Sequence, residues 1–223
     1  VGRLIGIDEA GRGPVLGPMV MAAVAVSAEQ AVELARLGVR DSKRYGSGEV
    51  ARRRRLAARP AIQIRSVHKV LAFSPEEVDR FANRGLLNEL EREGAVRLLE
   101  ELGAASEDQI FCDGASLFHD LRNRWPNLVA ENKADARYSC VAAASILAKV
   151  ARDEAMEAIC RKYEPEFGKI TGGGYVNAGT RRFLTAYEEK HGRLPPEART
   201  SWRWREKSQA RTQPDIAKLL DFP

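Results

Sequence analysis

Asp8 and Glu9 stand side by side at the end of the apolar run Leu4-Ile5-Gly6-Ile7, and Gly11-Arg12-Gly13-Pro14 follows one residue later. Carboxylates are the hard oxygen donors that hold Mg²⁺ or Mn²⁺. Glycines let backbone N–H groups approach a polyanion closely. Strand side chains alternate between faces, so two adjacent acids serve one site only where the strand ends and the chain turns. The combination points to metal-dependent chemistry on a phosphodiester. A pair of solvated loop acids is the plainer reading, but these acids sit between two apolar stretches, the second spanning residues 19–26. Charge at the mouth of a buried hairpin has a desolvation cost that needs a reason. The glycines lack the spacing of a dinucleotide fingerprint, and the acids occupy the place of a pyrophosphate.

Two more acids lie just past apolar segments: Asp113 in Ile110-Phe111-Cys112-Asp113-Gly114, and Asp135 in Asn132-Lys133-Ala134-Asp135. Three or four carboxylates converging at strand ends would hold two divalent ions ~4 Å apart. Spacing alone does not bring these acids together; the fold must.

The elements that would position them alternate in type. Residues 3–8 and 19–26 read as paired strands across a Gly/Pro-rich connection, and 29–37 as a helix. A basic helix over 49–58 is followed by a strand over 62–71. Ser74-Pro75-Glu76-Glu77 is a helix start, with serine at the cap and glutamate three residues on. A long amphipathic helix over 86–102 precedes a short strand over 109–112 and a weaker strand at Leu128-Val129, with Asp135 in the loop after it. The longest helix covers 141–163, Gly172-Gly173-Gly174 breaks the pattern, and a helix over 180–191 ends before Pro195-Pro196. This alternation predicts an α/β domain with a mixed sheet over residues 1–194 and a helical C-terminal region and tail over 195–223.

The bulk numbers are compatible with this. The chain has 223 residues, 44% hydrophobic and 30% charged, with a formal charge of +5. That modest excess suits a nucleic-acid partner without requiring one. Of the run Arg52-Arg53-Arg54-Arg55, most side chains on a helix would be solvated and some could touch phosphate. Three cysteines without metal-ligand spacing, Cys112, Cys140 and Cys160, point to free thiols in a reducing compartment. No apolar run approaches ~18 residues, so no membrane segment is expected and the expected location is the cytoplasm.

The block Gly6-Ile7-Asp8-Glu9-Ala10-Gly11-Arg12-Gly13-Pro14 with Gly17-Pro18 resembles the signature of ribonuclease HII, the type 2 ribonuclease H family. The resemblance continues through Asp41-Ser42-Lys43, Cys112-Asp113-Gly114, Lys133-Ala134-Asp135-Ala136-Arg137-Tyr138, the alanine-rich residues 141–153, Gly174-Tyr175 and Ser201-Trp202. It implies a ribonuclease H-like mixed sheet flanked by helices. The implied activity is an endoribonuclease that hydrolyses the RNA strand of RNA–DNA hybrids and cuts 5′ to single ribonucleotides in duplex DNA, giving 5′-phosphate and 3′-hydroxyl ends. Asp8, Glu9, Asp113 and Asp135 match the family's metal-binding and catalytic acids, with Mg²⁺ or Mn²⁺ as cofactor and two ions in catalysis.

Further matches concern the substrate. Gly11, Arg12 and Gly13 match the loop whose backbone contacts the 2′-hydroxyl, Lys43 a phosphate-contacting lysine, and Tyr175 a tyrosine that packs on the following sugar. Thr180 matches a phosphate-binding threonine, although Val176-Asn177-Ala178-Gly179 before it is one residue shorter than the family pattern. Asp153 lies in a matched block but well inside a helix, and reads as an ion-pairing acid. The tail from Gln213 to Phe222 faintly resembles a sliding-clamp-binding peptide, although an ordinary amphipathic turn is the plainer reading. A monomer is expected. The competing readings are a ribonuclease HIII-like hybrid nuclease without junction preference and a non-catalytic nucleic-acid-binding module.

Overall fold

The computed structural model describes residues 2–39, 45–46 and 48–205. Five strands form one mixed sheet: β1 (Leu4–Ala10), β2 (Met19–Val26), β3 (Val67–Phe73), β4 (Gln109–Asp113) and β5 (Leu128–Glu131), in the order β3-β2-β1-β4-β5. β3, β2 and β1 are antiparallel neighbours, whereas β1, β4 and β5 run parallel. All eight residues of β2 are buried, because the sheet is covered on both faces. That is why Met19–Val26 reads as an unbroken apolar run rather than an alternating one.

The helices are α1 (Ala28–Arg36), α2 (Gly48–Ile64), α3 (Pro75–Ala82), α4 (Leu87–Glu101), the single turn α5 (Ala134–Arg137), α6 (Ser139–Phe167) and α7 (Ala178–His191). Reciprocal capping boxes start α1 at Ser27/Gln30 and α3 at Ser74/Glu77. The first half of α6 lies across one sheet face and packs with Ala10, Val20, Ala22 and Val24. Its alanines allow a close approach, and Gly6 makes it closer still: a Cβ there would lie 2.2 Å from the backbone of Cys140 and Val141. The other face carries Ile5, Ile7, Met19 and Met21 against Leu90, Leu98 and Leu99 of α4. A third core joins the second half of α6 to α7, Val15, Leu16, Ala198 and Trp204.

Several boundaries differ from the sequence expectation. The basic helix does not end near Ala58 but continues through Pro60 to Ile64, so the next strand starts at Val67 rather than 62. Ile62 buries itself from the helix, and that tertiary anchor outweighs the lost proline N–H. The C-terminal region expected to be helical from about Pro195 forms turns and an isolated Leu16–Ala198 bridge over residues 195–205. Residues 206–223, with the candidate clamp peptide, lie outside the described residues.

Candidate active site

β1 does not stop before its acids. It runs to Ala10, with Asp8 opposite Ala22 and Glu9 opposite Met21 of β2. The alternation therefore holds, which corrects the expectation of a turn at the acids. Asp8 faces the α6 layer, where Ser145 hydrogen-bonds it and Lys149 draws it toward the charged form. Glu9 faces the α4 layer, where it meets the field of Glu91. One cavity can still receive both because β1 and β4 pair only as far as Ile7 opposite Cys112. Beyond that point the β4-side edge of β1 is open.

Into this opening the fold brings the other two acids. Asp113 ends β4, and its carboxylate accepts the Ala134 N–H at 3.1 Å. Asp135 lies in the next turn, in α5 rather than a loop, and is 3% exposed. Asp8, Glu9, Asp113 and Asp135 line one cavity of about 440 Å³ with Gly11, Arg12, Gly13, Arg55, Lys149, Arg152, Asp153 and Tyr175. A second cavity of about 460 Å³ shares Glu9, Arg12 and Asp113, and reaches Asn88, Glu91, Ser116 and Asn132.

The electrostatics suit a site built for cations. Burial, then the charge of Glu9, pushes Asp8 well above the ordinary carboxylate range. Burial, then Glu91, raises Glu9. A divalent ion would reverse both effects by supplying the missing counter-charge. No three acids among the described residues stand in a ready-made metal-holding cluster. Each instead leans on its own support: Asp8 accepts the Glu9 N–H at 2.8 Å, and Asp113 caps α5. The donor set fits Mg²⁺ or Mn²⁺ by chemistry, being four carboxylates and no soft ligand.

Glu91, 1% exposed, is raised to about 7, with burial the main cause and the Arg12 charge opposing it. A carboxylate raised in the folded state binds its proton more readily there than in the unfolded chain. Its contribution therefore lowers stability as pH rises from about 4.5 through about 7, by at most about 3 kcal/mol. Glu91→Gln should flatten this part of the pH profile of the metal-free protein. Urea melts at pH 5 and pH 8 in a chelator check it, and an unchanged wild-type slope in the variant refutes it.

The loop after the acids is held from beneath. Gly11 has φ +82°, and a Cβ on it would meet the Pro18 carbonyl at 2.7 Å. Arg199 has no exposed surface, and its guanidinium donates to the carbonyls of Gly11 at 2.6 Å, Arg12 at 2.8 Å and Gly17 at 3.0 and 3.2 Å. Burial, then the nearby Arg152, lowers Arg199 to about 10. On the other side the Gly174 carbonyl accepts the N–H groups of Val15 and Leu16. That sets the next residue, Tyr175, beside Gly13, where its ring is half exposed at the cavity. Arg199 was not among the sequence candidates, and neither were Glu91, Lys149 and Arg152.

Other candidates fall elsewhere. Thr180 is fully buried and gives its hydroxyl to the Thr171 carbonyl at 3.2 Å. Asn177, rather than Thr180, caps α7 by accepting from Gly179 and Thr180. Lys43, with Asp41 and Ser42, lies outside the described residues. Two of the four arginines of the basic run are committed to α6, Arg52 to Glu157 and Arg55 to Asp153 at 2.7 Å, with Arg59 nearby on Glu154 at 2.6 Å, whereas Arg53 pairs with Glu49 of its own helix. Only Arg55 of the four reaches the cavity lining. Asp153 is thus the ion-pairing acid that its helix position suggested. Among the described residues, no helix is long and apolar enough to cross a membrane.

The sequence profile of the family Ribonuclease HII matches residues 5–204. A protein named Ribonuclease HII from Thermococcus onnurineus is 38% identical over 224 aligned residues, covering 97% of this chain and 94% of its own. The structure titled as a PCNA:RNase HII complex from Archaeoglobus fulgidus aligns with a TM-score of 0.75 at 33% identity, covering 92% of this chain and 97% of that one. A structure titled as Bst-RNase HIII in complex with Mn²⁺ aligns at 0.71 and 25% identity, covering 90% of this chain and 67% of its own.

Proposed function

This chain belongs to the ribonuclease HII family, with that family's ribonuclease activity and ribonuclease H-like fold, and from that premise we propose that it cuts on the 5′ side of single ribonucleotides in duplex DNA as well as within the RNA strand of RNA–DNA hybrids. The observation that carries this reading is one cavity in which Asp8, Glu9, Asp113 and Asp135 meet the Gly11–Gly13 loop and Tyr175, the fifth acid of its wall, Asp153, being paired with Arg55. Asp8, Glu9, Asp113 and Asp135 would hold the Mg²⁺ or Mn²⁺ ions, two during catalysis, which supply Lewis-acid activation of the attacking water and charge stabilisation at the leaving 3′ oxygen. The products would carry 5′-phosphate and 3′-hydroxyl ends.

The chain's own residues do the sorting. Sensing a 2′-hydroxyl requires hydrogen-bonding groups at the sugar edge, and the Gly11–Gly13 backbone lies at the cavity without side chains at its two ends. Tyr175 offers a flat, half-exposed ring on which the next sugar can pack. Lys149 and Arg152 add positive charge to the cavity wall. Lys43 remains a proposed phosphate contact. Thr180 is not part of the proposal, because its hydroxyl is spent inside the protein. A clamp contact through the tail draws support from the Archaeoglobus fulgidus relative, whose structure is titled as a complex with PCNA.

A substrate panel tests the reading: duplex DNA with one ribonucleotide, an RNA–DNA hybrid and all-DNA duplex, each with Mg²⁺ or Mn²⁺. Cleavage 5′ to the lone ribonucleotide is expected. Cleavage of hybrids alone would favour a ribonuclease HIII-like enzyme, and binding without any cut a non-catalytic module. Tyr175→Ala should lower cleavage at the lone ribonucleotide by roughly 10–100-fold, the equivalent of one lost stacking contact. Its melting temperature should stay near wild type, since the ring is 55% exposed. Equal losses on hybrid and single-ribonucleotide substrates would remove the junction role.

A further inference from the structure

Arg12 sits between the two glycines of the loop, and its charge invites a role as a phosphate ligand. The geometry gives the guanidinium different work. One terminal nitrogen is paired with the carboxylate of Glu91, and the other donates to the Asn88 side-chain oxygen at 2.8 Å. Asn88 and Glu91 are three residues apart on α4, so they project from the same face of one helix and form a fork for the guanidinium. Glu91 is 1% exposed, whereas the Arg12 side chain is 40% exposed. The arginine thus reaches from the loop down to a fixed buried anchor. Arg199 holds the backbone carbonyls of Gly11 and Arg12 from the opposite side. The loop is fixed at its carbonyls by one arginine and through its own side chain by another.

We infer that Glu91 and Asn88 of α4 are positioning residues for ribonucleotide recognition, acting through Arg12 to fix the Gly11–Gly13 backbone at the cavity edge. Glu91 does not touch substrate; it sets where the loop N–H groups stand. This inference rests on the proposed sugar-sensing role of that loop. A planar, forked donor is needed, because an ammonium presents no pair of fixed donors to two acceptors at once. A buried carboxylate deprived of its cation is also costly, so Arg12 and Glu91 act as a unit.

The test compares Glu91→Gln, Asn88→Ala, Arg12→Lys, Arg12→Ala and the double variant Arg12→Ala/Glu91→Gln. The readouts are kcat and KM for cleavage at a single embedded ribonucleotide and for cleavage of an RNA–DNA hybrid, both of which present a 2′-hydroxyl at the cut, with binding measured at several salt concentrations. Positioning predicts that Glu91→Gln and Arg12→Lys both lower kcat on both substrates by roughly tenfold, with KM little changed. Asn88→Ala should lower kcat by a smaller factor, and the double variant should be no worse than Arg12→Ala. The salt slope of binding should stay unchanged in Glu91→Gln. A phosphate ligand predicts the opposite: Arg12→Lys close to wild type, Arg12→Ala lowering the salt slope by about one, and Glu91→Gln and Asn88→Ala without effect on kcat. That second pattern overturns the inference. Thermal melts accompany each variant, and if Glu91→Gln does not fold, Asn88→Ala decides between the two patterns. Failure of the wild type to cut the single ribonucleotide at all would instead refute the proposed function, so the two failures are distinguishable.

Discussion

Asp8→Asn and Asp113→Asn are each expected to lower kcat by about 10³-fold or more, while affinity for an RNA–DNA hybrid stays within about threefold. Asparagine keeps the shape of the side chain and one oxygen, so the cavity wall survives. What it loses is the anionic donor at the one place where β1 is unpaired and the β4 acid meets it. The stability effect should have the opposite sign. Asp8 is 6% exposed, and burial and Glu9 hold its carboxyl well above the ordinary range. Its charge is therefore unfavourable in the metal-free protein, and a neutral amide relieves it. Metal-free Asp8→Asn should melt above wild type at pH 7, and added Mg²⁺ should raise wild type more than the variant. Single-turnover cleavage with saturating enzyme checks the rate, and melts with and without metal check the stability. Retention of more than a tenth of wild-type activity in either variant would exclude these acids from the chemistry.

Why some of this was legible in the sequence and some was not follows from range. Ser74-Pro75-Glu76-Glu77 is a local signal, and the α3 cap forms with both of its hydrogen bonds. Apolar runs marked β1, β2 and β4 to within a few residues, since burial on both faces leaves a continuous pattern. The opening around Asp8 and Glu9 was not local. It arises because the β1–β4 pairing stops at Ile7 opposite Cys112, so Asp8 and Asp113 stand level with each other at the ends of the ladder, a register that neither strand encodes alone. The sequence reading needed a turn at the acids and the structure needs none. Asp135 fell in a helical turn rather than a loop because Asp113, 22 positions earlier, accepts the first N–H of that turn. The boundary at Ile64 moved because Ile62 found a core that periodicity could not see. Of the arginine run, Arg52 and Arg55 found acids of α6 opposite them, partners that the run itself does not reveal.

Arg199→Met is expected to cost about 4 kcal/mol of stability, which in a protein of this size lowers the melting temperature by about 8–16 °C. Methionine has nearly the same length and fills the same space, so the cost is not that of a cavity. It comes from three carbonyls, the buried one of Gly17 and the part-buried ones of Gly11 and Arg12, which lose their shared donor. Water cannot replace it at a side chain with no exposed surface. Arg199→Lys keeps the charge but reaches these acceptors with one nitrogen rather than a planar fork, and should recover only part of the loss. Asp79→Asn provides the control. Asp79 accepts from the backbone and hydroxyls of Thr200 and Ser201, the residues next to Arg199, without touching the loop. Loosening that anchor should lower the melting temperature while leaving kcat at a single ribonucleotide largely intact. Arg199→Lys should lower both, because the guanidinium itself sets the height of the Gly11–Gly13 backbone. If Arg199→Met melts within about 2 °C of wild type, the loop is held by other contacts. If Asp79→Asn and Arg199→Lys lose stability equally and neither lowers kcat, the C-terminal segment stabilises the fold without shaping the site.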